Sequence, residues 1–240
     1  MDTERIRLML KDRLAVVEDR LCAACRRAGR KREEVTLVAV TKTATVEVAA
    51  ELVKLGVTDL GESRPQELWR KEAFLPTPVR WHLIGHLQRN KIERTLPLVH
   101  RIHAVDSLRL LTALEEQAER QGRSVDVLLE VNVSREVSKY GFAVEEVPAL
   151  APALASLKGV RVTGLMTMAA HEEDPQRCRP TFAALRELRD RLRIAVGPGH
   201  PLKDLSMGMT NDFEVAVEEG ATLVRIGTAL FEGLEGAATS

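Results

Sequence analysis

The sequence predicts an α/β protein of the closed (β/α)8 barrel type. From residue 35 onward, short apolar runs alternate with amphipathic stretches in one series, and such alternation requires parallel strands joined by right-handed crossovers. The chain has 240 residues, close to the roughly 250 residues of a typical barrel. No linker rich in Pro, Gly or Ser interrupts the series. We therefore expect one domain over residues 1–240, with a helix in residues 1–30 packed on the barrel.

The individual elements follow from apolar periodicity. An amino-terminal helix is predicted by Ile6, Leu10, Leu14, Val17 and Leu21, whose spacings of three and four form one stripe. Apolar runs predict strands at residues 35–40, 57–60, 80–84, 101–105, 125–133, 160–166, 204–207 and 222–226. Helices are predicted at residues 46–55, 66–69, 87–96, 108–118, 178–192 and after a cap at 210–212. Loss of the second or seventh strand would favour an open doubly wound sheet instead.

Composition and charge exclude several classes of protein. The chain has 35 Lys and Arg against 35 Asp and Glu, so no basic excess is available for nucleic acid or an anionic membrane. The first residues are charged rather than apolar, and no run approaches the roughly 20 apolar residues of a membrane span. Cys22 and Cys25 form a lone CxxC that is best read as two small residues of a helix, because no second CxxC exists. We expect a cytoplasmic protein.

Lys42 is the first candidate for chemistry. It stands where the first predicted strand ends, and closed barrels build their sites at the carboxyl ends of their strands. A partly desolvated lysine amine can form a Schiff base with a carbonyl compound. The alternative for this residue alone is a surface lysine at the end of a strand.

The loops after strands seven and eight are the second candidate. Barrels often bind phosphate there, using backbone N–H groups and a helix dipole. Ser206, Thr210 and Thr228 would add hydroxyl groups, and Gly208 and Gly227 would allow close backbone approach. The alternative is ordinary turn and cap chemistry.

A lysine and a phosphate site at one barrel mouth suggest two kinds of ligand. One is pyridoxal 5'-phosphate (PLP), held as an aldimine, and the other is a phosphorylated sugar in a Schiff-base aldolase. A metal site at His82 and His86 is disfavoured, because a spacing of four suits a helix whereas the local pattern is a strand. Hydrogen bonding at the rim is the preferred role for these histidines, and no metal ligand is predicted.

Several motifs resemble the pyridoxal phosphate homeostasis protein family. The most specific are Trp-His-Leu-Ile-Gly-His-Leu-Gln-Arg-Asn-Lys at residues 81–91 and Leu-Ser-Met-Gly-Met-Thr at residues 205–210. The others are at residues 39–42, 61–63, 131–134, 138–141, 164–166 and 224–228. The resemblance runs in order from about residue 35 to residue 231, and it implies a barrel like the amino-terminal domain of alanine racemase.

The resemblance also implies a role for each site residue. Lys42 would carry PLP as a covalent aldimine, and Arg225 would face the pyridine nitrogen. The family pattern has Gly-Glu-Asn where this chain has Gly-Glu-Ser, so Ser63 puts in doubt any contact made through an asparagine amide. The phosphate would be held by Ser206, Gly227 and Thr228, the pocket would be lined by His82 and Met166, and the set of cofactor-binding residues is completed by Ser63 and Met207.

The resemblance and the chemistry together favour a binding protein over a full enzyme. A cationic Arg225 at the ring nitrogen disfavours the pyridinium and weakens PLP as an electron sink. Racemisation needs a base on each face of the substrate carbon, and the chain has one tyrosine, Tyr140, and ends soon after strand eight. We expect a carrier or buffer of PLP that serves vitamin B6 homeostasis, with Lys42 as the one reactive residue.

Other possibilities stay open at this point. The alternative function is a weakly active PLP-dependent enzyme resembling an amino-acid racemase. Lys139 could be a second acceptor for the aldehyde, although a solvated loop lysine is the simpler reading. Apo forms of PLP-dependent enzymes are the expected acceptors, and a monomer is the expected state.

Overall fold

Eight parallel strands form a closed barrel in which the strands follow the order of the sequence. The computed structural model describes residues 2–75, 78–134 and 140–234. The barrel closes where β8 pairs with β1, with Thr36 opposite Leu223. The strands are β1 Thr36–Val40, β2 Asp59–Glu62, β3 Arg80–Leu83, β4 Val99–Val105, β5 Val125–Glu130, β6 Val160–Met166, β7 Asp204–Ser206 and β8 Leu223–Ile226. The predicted barrel is confirmed, including its short second and seventh strands.

Helices surround the barrel and follow the strands. Within the described ranges they are α1 Thr3–Arg27, α2 Val46–Lys54, α3 Pro65–Glu72, α4 Ile92–Thr95, α5 Leu108–Arg120, α6 Ala151–Ala155, α7 Arg179–Val196, α8 Phe213–Glu218 and α9 Thr228–Phe231. None of these combines the length and apolar character that a membrane span needs.

The amino-terminal helix α1 covers one side of the barrel. Its buried stripe includes Leu10, Val17 and Leu21, and it packs against α2, α8 and α9. Cys25 is buried in this face, whereas Cys22 is half-buried, and both thiols are free. The two cysteines of the CxxC pair therefore belong to the packing of helix α1 on the barrel.

Strand alternation divides the core into two parts, because successive side chains of a strand point to opposite faces of a sheet. Leu37 and Ala39 join the large apolar cluster between the barrel and its helices. Val38, between them, points into the barrel, where it belongs to a small cluster with Ala104, Leu128, Met166 and Leu223. The barrel interior also holds buried polar side chains, among them His82, His103, Ser206 and Arg225.

Three local expectations differ from the structure. Strand β5 ends at Glu130 rather than at residue 133, because the next residue, Val131, makes only an isolated bridge to Phe142. The predicted helix at residues 87–96 is a 3-10 turn, Arg89–Lys91, followed by the short α4. Helix α6 was not predicted, because prolines punctuate residues 147–155 and the apolar periodicity there is short.

Candidate functional site

A cavity of about 460 Å³ opens at the carboxyl ends of the strands. Of the site residues predicted from the sequence, Lys42, Ser63, Arg225, Gly227 and Thr228 line it. They come from the ends of β1, β2 and β8 and from the loops that follow. The topology thus brings a lysine, a guanidinium group and the loop before α9 to one mouth.

The other predicted site residues lie outside the lining of this cavity. His82 is buried between Asp59 and His103, and Met166 packs in the apolar cluster inside the barrel. The Ser206 hydroxyl contacts His103 and Arg225. Met207 is buried in the outer cluster, and its N–H donates to Leu223. His82, Met166 and Ser206 thus lie inside the barrel, whereas Met207, the residue after Ser206, points to the outer cluster, as strand alternation requires.

Lys42 is held at the mouth by a closed turn after β1. The Thr41 N–H donates to Gly61 of the neighbouring strand, and the Thr41 carbonyl accepts from Ala44 N–H at 2.9 Å. Thr41 itself is buried, whereas the Lys42 side chain is exposed to the cavity. The backbone on either side of the lysine is therefore fixed while its amine stays accessible.

A buried ion pair between Lys71 and Glu62 contacts this turn. Lys71, on α3, is 1% exposed and donates to the Thr41 carbonyl at 2.5 Å and to Glu62 Oε1 at 2.6 Å. The Thr41 hydroxyl donates to the same Glu62 oxygen at 2.6 Å. Among the described residues the second oxygen, Glu62 Oε2, has no hydrogen-bond partner. Lys71 and Thr41 therefore supply the positive charge and the hydrogen bonds that compensate for burying the Glu62 carboxylate.

Arg225 brings a buried positive charge to the wall of the cavity. Its Nη1 donates to Ser206 Oγ at 2.6 Å and its Nη2 donates to the Thr167 carbonyl at 3.0 Å. Burial lowers the pKa of Arg225 to about 10, and the charges of Asp212 and Glu130 act in the opposite direction. The guanidinium therefore remains protonated at neutral pH.

The loops after β7 and β8 present donors to the same cavity. Within the described residues, no backbone acceptor takes the N–H of Gly227 or Thr228, whereas the next N–H, of Ala229, donates to Thr210 Oγ1 at 3.4 Å. Free N–H groups at the start of a helical turn are suited to an anion. The Thr210 hydroxyl lines the cavity, whereas the buried Ser206 hydroxyl contacts His103 and Arg225.

Gly208 allows the loop after β7 to pass close to α8. Its φ is +92°, and a Cβ atom there would lie 2.6 Å from Ala216 Cβ and 2.9 Å from Phe213 Cα. The loop therefore lies against α8 at a distance that only glycine allows. This contact fixes the positions of Met209 and Thr210 in the lining of the cavity.

Several lining residues were not predicted as site residues. Asp212 carries a sequence signal, since it was read as a helix cap, and its carboxylate accepts from the Met209 N–H at 2.6 Å. Cys178 was read only as part of a helix face, and burial is the main cause that raises the pKa of its thiol to about 11. The loop after β6 supplies residues 168–172, and its sequence carries no periodic or motif signal.

The rim opposite Lys42 carries a second group of polar residues. His86 Nδ1 lies 2.7 Å from Asp106 Oδ2, and the His86 ring stacks on Tyr140 with centroids 5.1 Å apart. Glu130 is buried nearby, and burial, assisted by the charge of Asp106, raises its pKa to about 7. Within the described ranges no group of three His, Cys, Asp or Glu residues is placed to hold a metal. Ser138 and Lys139 lie outside the described residues.

Comparisons with known proteins agree with this architecture. A family model described as "Alanine racemase, N-terminal domain" matches residues 16–235. The pyridoxal phosphate homeostasis protein of Aquifex aeolicus is 42% identical over 221 residues, which cover 92% of this chain and 96% of the relative. The protein of the same name from Pseudomonas aeruginosa is 40% identical over 223 residues, with 92% and 94% covered.

Solved structures agree as well. A protein from Bifidobacterium adolescentis superposes with a TM-score of 0.88 at 38% identity, covering 96% of this chain and 97% of the other. PipY from Synechococcus elongatus, solved with PLP bound, has a TM-score of 0.80 at 32% identity, with 92% and 99% covered.

The fold and the site first define a class, the barrel proteins of the alanine racemase N-terminal type. Within that class the chain belongs to the pyridoxal phosphate homeostasis protein family. The resemblance seen in the sequence motifs is thereby confirmed.

The buried ion pair yields a stability prediction. Replacing Lys71 by Met leaves the Glu62 carboxylate buried without its cation, and we expect the free energy of unfolding to fall by about 3–5 kcal/mol. Lys54→Met is the matched control, because Lys54 also pairs with a buried glutamate but is 55% exposed, so its loss should be under about 1 kcal/mol. Denaturant titration measures both. Equal losses in the two variants would contradict the role given to the buried pair.

The path of the β7 loop yields a second prediction. Gly208→Ala adds left-handed strain of about 1–2 kcal/mol and an overpacking cost of about 1–3 kcal/mol, so the free energy of unfolding should fall by their sum. The control is Gly29→Ala, since Gly29 has a φ of +64° and open space around it. In the control the free energy of unfolding should fall by the backbone strain alone, about 1–2 kcal/mol. A thermal or denaturant melt in which both variants lose the same amount would argue against the close contact with α8.

The raised pKa of Glu130 yields a pH prediction. Its pKa rises from 4.5 in the unfolded chain to about 7 in the folded one, so the folded state binds the proton more tightly and stability is lost as pH rises through this window. Glu130→Gln should remove about 2–3 kcal/mol of the loss between pH 5 and pH 8. Denaturant titrations at both pH values check this, with Glu116→Gln, at an exposed position, as control. An unchanged pH slope in Glu130→Gln would show that Glu130 ionises normally.

Proposed function

We propose that this chain binds PLP at the barrel mouth through a Schiff base to Lys42, and that it serves as a reversible carrier or buffer of PLP. The observation that carries the proposal is the joint presence in one cavity of an accessible lysine amine, a buried guanidinium and two N–H groups that no described residue accepts from. The names of the curated relatives and the PLP in the PipY structure support the choice of ligand.

The residues of the cavity fit each part of the PLP molecule. The free N–H groups of Gly227 and Thr228, with the Thr210 hydroxyl beside them, suit a phosphate group. Arg225, which has two donors committed to Ser206 and Thr167, suits a ring nitrogen that carries no proton. The volume of about 460 Å³ lies in the usual range of small-molecule sites.

The bond to Lys42 is a condensation. With PLP bound, Lys42 would hold it as a Schiff base formed with loss of one molecule of water, whose oxygen comes from the aldehyde and whose two protons come from the amine. Water reverses the reaction and restores the free aldehyde and the amine. While the bond exists, PLP stays attached to the chain and carries no free aldehyde, and its release by water or by exchange with another amine is what a carrier requires.

Two features of the site favour binding over turnover. A permanently charged Arg225 disfavours a protonated ring nitrogen, so PLP bound here would be a weak electron sink. Tyr140 is 66% exposed and stacks on His86 at the rim, so it does not line the cavity. A weakly active enzyme resembling an amino-acid racemase is the alternative, and apo forms of PLP-dependent enzymes are the proposed acceptors of the carrier.

The experiment that tests the proposal is an absorption spectrum of the protein with added PLP, followed by borohydride reduction and peptide mapping. We expect a visible band that reduction removes, with the label on the peptide that contains Lys42. Lys42→Ala should lose the band, and the control Lys54→Ala should keep it.

Two results would contradict the proposal. One is a protein that gains no visible band at any PLP concentration. The other is a label found on Lys139 or on surface lysines and not on Lys42. Racemase turnover similar to that of a dedicated enzyme would favour the alternative function.

A further inference from the structure

A continuous chain of hydrogen bonds crosses the interior of the barrel and ends at Arg225. His82 Nε2 lies 2.9 Å from Asp59 Oδ1, and His82 Nδ1 lies 2.9 Å from His103 Nε2. His103 Nδ1 lies 2.9 Å from Ser206 Oγ, which accepts from Arg225 Nη1 at 2.6 Å. The five residues sit on β2, β3, β4, β7 and β8, and each is buried. They therefore link one end of the barrel interior to the cavity wall.

The chemistry of the two ends fixes the direction of every bond. Arg225 can only donate. Burial alone would raise the pKa of Asp59, but hydrogen bonds from His82 and Arg80 lower it to about 2, so Asp59 is an ionised acceptor. Burial lowers the pKa of His82 and of His103, so both rings are neutral. A neutral imidazole has one donor and one acceptor.

One assignment satisfies all five groups. Arg225 donates to Ser206, the Ser206 hydroxyl donates to His103 Nδ1, His103 Nε2–H donates to His82 Nδ1, and His82 Nε2–H donates to Asp59. The direction of every bond follows from the two ends, because a reversed bond at any step would place two donors or two acceptors against each other. In this assignment the hydrogen of Ser206 points to His103.

We infer that His82 and His103 are positioning residues, which hold the guanidinium of Arg225 at the cavity wall by fixing the Ser206 hydroxyl. Neither histidine lines the cavity, so their effect on a ligand passes through Arg225. This inference rests on the proposed function and deepens it, because it assigns two residues that set the charge facing the ring of PLP.

A double-mutant cycle tests the inference, with the dissociation constant for PLP measured by absorption or fluorescence titration. His103→Leu leaves the Ser206 hydroxyl without the partner that fixes it, so the hydrogen bond from Ser206 to the charged Arg225 is lost and the dissociation constant should rise about tenfold. In the Arg225→Met background the same change should alter the constant less than about twofold, because the residue through which it acts is gone. Non-additivity of this kind is not expected from general loosening of the barrel.

Two further variants complete the design. His103→Gln should recover most of the affinity, because its amide supplies one donor and one acceptor, and Ser206→Ala should behave as His103→Leu does. Thr163→Val is the matched control, since Thr163 is buried on β6 and its hydroxyl donates to the Val127 carbonyl at 3.4 Å. The dissociation constant of this variant should match that of the unmodified protein. If His103→Leu fails to fold, Ser206→Ala takes its place in the cycle.

The outcomes separate the inference from the function on which it rests. Unmodified protein that binds PLP with an affinity unchanged in His103→Leu and Ser206→Ala overturns the positioning role alone. The same is true if the loss is equal in the presence and absence of Arg225. Unmodified protein that binds no PLP overturns the proposed function and the positioning role together.

Discussion

A guanidinium group buried inside the barrel is the constraint on which much of this structure depends. Arg225 is 4% exposed, and an unpaired buried charge would cost several kcal/mol. The barrel meets that cost with the Ser206 hydroxyl, the Thr167 carbonyl and the nearby carboxylates of Asp212 and Glu130. These partners come from different strands and loops, so a single charge ties together β6, β7, β8 and the helix start at α8.

The same principle recurs at the lysine side of the mouth. Lys71 and Glu62 neutralise each other in a fully buried position and hold the Thr41 carbonyl beside Lys42. In both places the reactive or recognising group is fixed by buried polar partners. The site is thus an accessible amine and an orienting cation, each set on a rigid support, which suits a protein that holds a reactive cofactor and releases it.

Much of the fold was predictable, because closed barrels leave periodic signals. Strand β6 was placed at its observed bounds from one apolar run, and Lys42 was singled out because it follows β1. The reach of side chains near the strand ends was harder to predict. Arg225 extends from the barrel interior to the cavity, whereas Ser206, His82 and Met166 stay among the side chains packed inside the barrel. Apolar periodicity shows which face of a strand is buried, but not how far each inward side chain reaches toward the mouth.

The loop after β6 and the buried chain from Asp59 to Arg225 were beyond prediction for another reason. The loop lines the cavity through its backbone path, which composition does not determine. The chain joins residues as far apart as 59 and 225, and only the closure of the barrel brings them together. Single histidines at residues 82 and 103 gave no sign that they contact each other.

The most direct test of the account is a crystal structure of the protein grown with PLP. We expect continuous density between Lys42 Nζ and the aldehyde carbon, the phosphate on the N–H groups of Gly227 and Thr228, and Arg225 at the ring nitrogen. PLP bound elsewhere, or a phosphate held by Ser206 with Arg225 turned away from the ring, would contradict it.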